Sequence, residues 1–498
     1  MGAGTANADL VHETLATVRG KRAANIRGLV HAHQRSKRVS RHRNIVPLLA
    51  SERRAIGSLA GIYFLRMFGL FLILPVFALY AERLDGHTAI LTGLAIGIYG
   101  LTQAGLQIPF GLASDRFGRK PVITVGLLMF AFGSVVAATS DHIYGVILGR
   151  ALQGSGAIAA AVMALNADLT REIIRTRAMA IIGMSIGAAF FAAMLGGPIL
   201  SQWVGVPGLF WLTAILALLG LLVIHTITPD PVESRVHRDA EPVPEQLGQV
   251  LRDRQLLRLD AGIFLLHMIL TALFIAVPLA LRDQVGLPGG EHWKVYLPVM
   301  LLSIPAMVPF VILAEAKGQM KAVFLGAVAV IGLAQLALAW SHSGIWWIGA
   351  VLWVFFSAFN ILEATLPSLI SKMAPPDKKG SAMGVYSSGQ FLGAFLGGAL
   401  GGVMLGQFGV TGVFALTAAA ALIWLGVAVG MRAPAGLSNY LLKVGVCNED
   451  EAGAMSGRLL QVAGVADAVV VPQDGVAYLK VNQSLLDEEG LRAFAVAD

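Results

Sequence analysis

Charge and cysteine are what this sequence lacks. Of 498 residues, 13% are Asp, Glu, Lys or Arg, about half the share found in soluble globular proteins. Hydrophobic residues make up 56%, and the mean hydropathy is +0.71. That balance excludes a water-soluble enzyme. The single cysteine, Cys447, excludes an intramolecular disulfide and any Cys-x-x-Cys metal or redox site. No phosphate-cradling Gly-x-x-x-x-Gly-Lys-Ser/Thr loop occurs, so nothing supports an ATP-driven pump. The N-terminal region holds no apolar core of signal-peptide type, and no cleaved leader is expected.

Excess charge of one sign is also missing from most of the chain. The net charge is +7, but residues 1–54 carry 11 Lys/Arg against 3 Asp/Glu, a balance of +8. The remainder has 37 − 11 = 26 basic and 30 − 3 = 27 acidic residues, a balance of −1. The basic character belongs to the N-terminal tail, which is expected to be a disordered cytoplasmic extension and not a nucleic-acid-binding arm.

Long apolar runs, by contrast, are plentiful. Twelve are countable, near 55–80, 89–110, 121–140, 142–168, 178–203, 207–227, 259–281, 293–314, 321–341, 345–370, 381–405 and 411–431. Each has about the 20 residues a helix needs to cross a bilayer core, and in lipid only a helix satisfies its own backbone there. With both termini placed in the cytoplasm, Arg116, Arg119, Lys120, Arg171, Arg175, Arg177, Lys317, Lys321, Lys372, Lys378 and Lys379 all fall inside. Only Arg83, Arg282 and Lys294 fall outside, as the positive-inside rule expects. Trp203, Trp293, Trp340, Trp346 and Trp347 then form an outer aromatic belt.

The longest polar interruption, 228–258, divides the runs into six and six. A repeat supports that division. Pro109-Phe110 recurs as Pro309-Phe310, an offset of 309 − 109 = 200, which brings Asp115 onto Glu315 and Gly118 onto Gly318. Parallel six-helix repeats build two-lobed secondary transporters. The expected organisation is a tail at 1–54, lobes at 55–227 and 259–432, a linker at 228–258 and a small cytoplasmic domain at 439–498. In that last part a strand over Tyr440–Val446, a helix over 449–463, strands at Ala466–Pro472 and Val476–Asn482 around Gln473-Asp474-Gly475, and a helix over Leu485–Phe494 give a ferredoxin-like α+β pattern. A closing fourth strand is short or absent.

The most informative stretch is Gly111-Leu-Ala-Ser-Asp115-Arg116-Phe-Gly-Arg119-Lys120, a charged hairpin between two apolar runs. It resembles the signature loop of the major facilitator superfamily, G-x-x-x-D-R-x-G-R-K. Arg150-Ala-Leu-Gln153-Gly154 is similar to that family's second motif. Gly183-x-x-x-Gly187 with Gly196-Gly197-Pro198 resembles the helix-5 motif of its proton antiporters, although Ile199-Leu200 replace further glycines. Arg66–Val76, Phe359–Ala364 and Ala382–Ser388 resemble the YajR-type branch, taken to be proton-driven drug exporters with a cytoplasmic ferredoxin-like domain.

The resemblance implies an all-α membrane fold of twelve helices plus the small α+β domain. It also implies a latch in which Arg119 bridges Asp115 and Asp168, with Arg116 beside it, holding the outward-facing state. In that state Asp115 faces the start of helix 11. The bland alternative is that Arg116, Arg119 and Lys120 only set topology. Helix-5 glycines are expected against helix 8.

Charges inside the runs carry the remaining chemistry, because a mid-membrane charge costs at least about 2.5–3.5 kcal/mol. Glu363 is the first choice for a proton or cation site, with a structural hydrogen bond at a kink as the alternative. Arg66 would neutralise or orient it. Arg150 with Gln153 serves proton transfer or cavity electrostatics, or is an interhelical strut. His225 and His267 read as structural. Cys447 reads as a surface thiol. The expected partners are a small-molecule substrate, protons and lipid, with no nucleic acid, no metal and no cofactor, in a monomer. Proton-coupled efflux of a small amphipathic or cationic compound leads. A proton symporter or facilitator importing a metabolite, or a non-transporting sensor signalling through its tail domain, remains open.

Overall fold

In a computed structural model the described residues are 47–231, 242–432, 437–445, 447–472, 475–482 and 485–496. Most of the N-terminal tail, the middle of the 228–258 linker and Gln473-Asp474 of the tail-domain turn lie outside them. Among the described residues, ten helices are long and apolar enough to cross a membrane. In order, the elements of the first half are α1 (Ala50–Phe71), α2 (Leu74–Ala81), α3 (Ala89–Phe117), α4 (Arg119–Ala138), α5 (Ile143–Ser155), α6 (Ala159–Leu169) and α7 (Glu172–Thr226). After a short α8 (Pro244–Val250) come α9 (Arg254–Asp283), α10 (Trp293–Ala316), α11 (Met320–Trp340), α12 (Ile345–Met373) and α13 (Lys379–Val429). The spans Ala50–Ala81 and Ile143–Leu169 each combine two of these elements.

The sequence predicts twelve separate crossings, and the described residues carry them in ten candidate spans. α7 has 55 residues and α13 has 51. At about 1.5 Å per residue either would run far past a ~30 Å hydrocarbon core. Each is broken where one glycine leaves helical geometry, Gly205 (φ 65°, ψ 178°) and Gly409 (φ 65°, ψ −162°). Each therefore holds two crossings, and 8 + 2 × 2 restores twelve. The repeat also survives in the backbone. Gly118 and Gly318 both take positive φ, 91° and 68°, a region that L side chains avoid.

Cations gather at one end of the bundle, called the basic end below; it carries Arg116, Arg119, Lys120, Lys317 and Lys372. Two apolar clusters fill the first half, around Ile62, Phe130 and Leu165 and around Phe77, Ile143 and Phe210. A third, around Leu266, Phe274, Phe324 and Trp424, fills the second half and takes in Met194 of α7.

The C-terminal unit is a three-stranded antiparallel sheet of β1 (Ser438–Lys443), β2 (Val465–Val471) and β3 (Val476–Val481), in the order β1-β3-β2. α14 (Glu449–Leu459) and α15 (Glu488–Arg492) complete it. Asn448 and Glu451 form a capping box that starts α14. Where a fourth strand would close the sheet, Val496 N–H donates to Lys443 O at 3.1 Å. Both faces of β3 are buried. Leu479 and Val481 join Leu459 and Leu491 in the unit's own core. Lys480, on the other face, donates from Nζ to Lys372 O at the end of α12 (2.7 Å), and Asn439 Nδ2 donates to Ser371 O (3.0 Å).

Candidate functional site

Gly118 turns the chain between α3 and α4, which sets Arg119 on the first turn of α4 facing back to Asp115, four residues earlier. Arg119 Nη1 pairs with Asp115 Oδ1 and with Ser114 Oγ (2.9 Å), and its Nε donates to Asp168 Oδ2 on α6 at 3.2 Å. One planar guanidinium thus serves two carboxylates. Arg119 and Asp168 are buried, whereas Asp115 keeps a quarter of its side chain exposed. Arg116 lies outside this relay; it is exposed, with its guanidinium 5.4 Å from the Phe117 ring centre. Lys120 reaches the start of the linker at Thr228 O and Asp230 Oδ1, both at 2.7 Å. In the second half, Glu315 finds its cation on another helix, pairing with Lys372 and accepting from Ser368 Oγ (2.7 Å).

Asp115 does not meet the start of α13 here. That terminus is occupied by α8, where Val243 N–H donates to Ser381 Oγ (2.9 Å) and Ser381 Oγ donates to Gln246 Oε1 (2.9 Å). Pro242 stands between the basic ends of α3 and α13. A methyl on Gly111 would lie 3.9 Å from its Cγ, and one on Gly384 3.1 Å from its Cβ.

Arg66 is fully buried inside the first half. Its Nη2 donates to Gln103 Oε1 and to Gly156 O, both at 2.8 Å, and its guanidinium lies 5.3 Å from the Phe130 ring centre. The chain leaves helical geometry at Gly156, between α5 and α6, which frees that carbonyl, and Arg66 satisfies it. These partners belong to the first half, so Arg66 does not neutralise Glu363 in this arrangement. Arg150 is likewise held inside the first half. Its Nη1 donates to Gln153 Oε1 (2.9 Å), its other nitrogens approach Ala95 O and Ile96 O at 3.4 Å, and it sits 5.2 Å from the Tyr99 ring centre. Gln153 Nε2 donates to Ser134 Oγ at 2.7 Å.

The second half holds two acids with buried, unpartnered carboxylate oxygens. Glu363 on α12 has a buried Oε2 with no hydrogen-bond partner. Asp260 on α9 is buried with both carboxylate oxygens unpartnered. Tyr386 of α13 likewise has a buried, unpartnered hydroxyl. Among the described residues neither acid forms an ion pair. His267 is fully engaged: one ring nitrogen meets Ile263 O (3.3 Å), and the other meets Gln390 Nε2 (2.7 Å). His225 meets Thr124 Oγ1 at 2.9 Å. Sequence reasoning missed Asp260, Tyr386 and Gln390, which only the packing of α9 against α13 brings into view.

The helix-5 motif reads differently from expectation. A methyl on Gly196 would lie 3.3 Å from Leu72 Cδ1, and one on Gly197 2.9 Å from Pro75 Cγ. These glycines therefore pack against the α1–α2 span and not against α10, the eighth crossing. Gly183 and Gly187 face open space, and α7 passes through Pro198 unbroken. Residues four apart share a helix face, so 183, 187, 191 and 195 form one stripe. Its later members, Phe191 and Leu195, pack on the second half's core, while its earlier members touch nothing. The two halves part toward the basic end. They meet at the opposite end, through Glu82 with Arg282 and through Gln202 Nε2 with Gly290 O (2.5 Å).

The Major Facilitator Superfamily profile matches residues 59–316 and 293–441. The chain is 46% identical over 442 residues to the inner membrane transport protein YajR of Escherichia coli K12, covering 89% of this chain and 97% of that protein. It is 28% identical over 357 residues to the multidrug resistance protein MdtH of Yersinia enterocolitica, covering 69% and 86%. Among solved structures, the human organic anion transporter MFSD10 (TETRAN) superposes with a TM-score of 0.56 at 20% identity, over 76% of this chain and all of that one, a likeness of fold alone.

Proposed function

Because this chain belongs to the Major Facilitator Superfamily and is a multi-pass inner-membrane transporter, we propose that it exports a small amphipathic or cationic compound in exchange for protons, by alternating access. In this reading the basic end and both termini are cytoplasmic. The arrangement described is then the one closed outside and opening inward, with the halves joined at Glu82–Arg282 and parted at Gly183 and Gly187.

The observation that carries the proposal is Glu363. A carboxylate within an apolar span, with one oxygen buried and unpartnered, is costly unless a proton or a cation neutralises it. Proton and cation therefore compete for one group, which is the physical requirement for exchange. The likeness to a multidrug resistance protein supports outward transport of such a cargo. Arg66 and Arg150 act as struts of the first half, and the Asp115–Arg119–Asp168 relay stabilises the basic end of α3, α4 and α6 as a unit that moves together.

Glu363→Gln in proteoliposomes with an internal pH-sensitive dye tests this. Substrate-driven proton flux is expected to vanish while the variant still inserts and melts like the parent. Undiminished flux would overturn the assignment.

A further inference from the structure

Where α3 and α13 separate toward the basic end, they frame with α9 an open crevice of about 620 Å³. That lies within the roughly 300–1,000 Å³ typical of small-molecule sites. Leu101, Phe264, Val385 and Leu392 wall it with carbon. Its side-chain polar groups are those of Ser388 and Asp260. The Ser388 hydroxyl already donates to Ala104 O at 3.4 Å. Asp260 is 92% buried, since 8% remains exposed, and both of its carboxylate oxygens lie just beneath the crevice wall, buried and without a hydrogen-bond partner.

A carboxylate walled by hydrocarbon needs a compensating charge. The surroundings decide which kind. A hard divalent cation needs six or more oxygen ligands or retained water, and this wall supplies one free carboxylate. An anion is repelled. A neutral apolar molecule fills the space and leaves Asp260 as it was. An organic monocation with a bulky apolar body answers both features at once.

We propose that this crevice is a binding site for lipophilic monocations, with Asp260 as the counter-charge and the α3–α9–α13 walls around the apolar body. The inference rests on the export reading and adds a site separate from Glu363. Gly105 sits in the wall, and a Cβ placed on it meets nothing within 4 Å, so this position can be enlarged into the crevice without disturbing the helices.

The test is equilibrium binding to the full chain in nanodiscs at one pH and with no gradient. The probes are tetraphenylphosphonium and its neutral relative triphenylphosphine oxide. Asp260→Asn is expected to weaken tetraphenylphosphonium about ten-fold or more, the scale of a lost desolvated charge contact, and to leave triphenylphosphine oxide unchanged. Gly105→Leu is expected to weaken both, because it fills the space they share. If both variants keep parental tetraphenylphosphonium affinity while Glu363→Gln loses it, the crevice assignment falls and the export reading stands. If the parent binds no tetraphenylphosphonium, the crevice assignment falls, and the export reading is decided by the Glu363→Gln flux alone. Equal loss of both probes in Asp260→Asn would show a carboxylate that holds the fold and would also overturn the assignment.

Discussion

Gly93 and Gly398 meet backbone to backbone across the boundary between the two halves. A Cβ on Gly398 would lie 2.5 Å from Gly93 O, and one on Gly93 would run into Gly398 O and the Gly402 backbone. The contact continues through Gly97 against Phe395 and Gly402 against Ala89. Small residues let membrane helices approach this closely, and packing across such faces replaces the hydrophobic effect that lipid does not supply.

Gly398→Leu is therefore expected to destabilise the chain by roughly 1–3 kcal/mol, the usual cost of overpacking. Gly61→Ala is the matched control, because a Cβ there meets nothing within 4 Å. In a helix interior that change should be neutral or stabilising by about 0.5–1 kcal/mol. Thermal melts of the two variants in one detergent check the contrast. Equal melting temperatures would mean that the α3–α13 seam carries no packing energy.

Much of this fold is legible in the sequence, for reasons that particular residues make plain. Bilayer spans announce themselves by composition, so all twelve runs appear, and the breaks at Gly205 and Gly409 fall between the runs where they were placed. That the chain stays helical up to each break is not visible, because Val204 and Phe408 look the same in a helix as in a turn. Asp115 and Arg119 are recognisable as a pair from their spacing; Asp168 joins them only through the family likeness. The partner of Arg66 was illegible, since no local signal says that Gly156 breaks a helix and frees a carbonyl. Asp260 was hidden for the opposite reason. It stands near the start of its apolar run, where a carboxylate is an ordinary helix-start residue, and only burial makes it unusual.

Arg119 illustrates how burial sets mutational cost. Arg119→Ala takes a guanidinium from two carboxylates, one of them wholly buried. Breaking a buried ion pair from one side costs about 3–5 kcal/mol. Asp115→Asn alters only the partly exposed partner and is expected to cost less than about 1 kcal/mol. Arg119→Lys is expected to behave nearly as badly as alanine, because an ammonium cannot span both acids with a planar fork. Denaturation midpoints of the three variants give the order; an Asp115→Asn loss matching that of Arg119→Ala would refute it.

The tail domain carries a pH dependence of defined sign. Burial lowers the Lys480 amine below its ordinary value of 10.5, against the opposing pull of Asp467 and Asp253. Below the lowered value the amine is charged in both folded and unfolded chains, and its desolvated charge works against folding. Between the lowered value and 10.5 the folded chain has shed a proton that the unfolded chain keeps, so stability rises with pH through that window. Lys480→Met keeps the apolar stem and does not titrate. The stability of the parent relative to Lys480→Met is expected to rise with pH as pH approaches the ordinary lysine value of 10.5 from below. A constant difference would show that Lys480 does not titrate with docking.

The last prediction concerns the start of α13. In this arrangement α8 holds it, through Ser381 with Val243 and Gln246, and Gln246 Nε2 donates onward to Asp377 O at 3.3 Å. For Asp115 to reach that helix terminus, where a carboxylate is electrostatically favoured, α8 must withdraw and Pro242 must leave the gap between Gly111 and Gly384. The two arrangements are thus mutually exclusive, and each side of the competition has its own variant. Gln246→Ala with Ser381→Ala loosens the seat of α8 and is expected to enrich the form with the basic ends together. Asp115→Asn removes the competing carboxylate and is expected to enrich the form with those ends apart. Spin labels at Phe117 and Lys379 read both as opposite shifts of one distance distribution. Shifts in the same direction, or none, would show that α8 and Asp115 do not compete for this terminus.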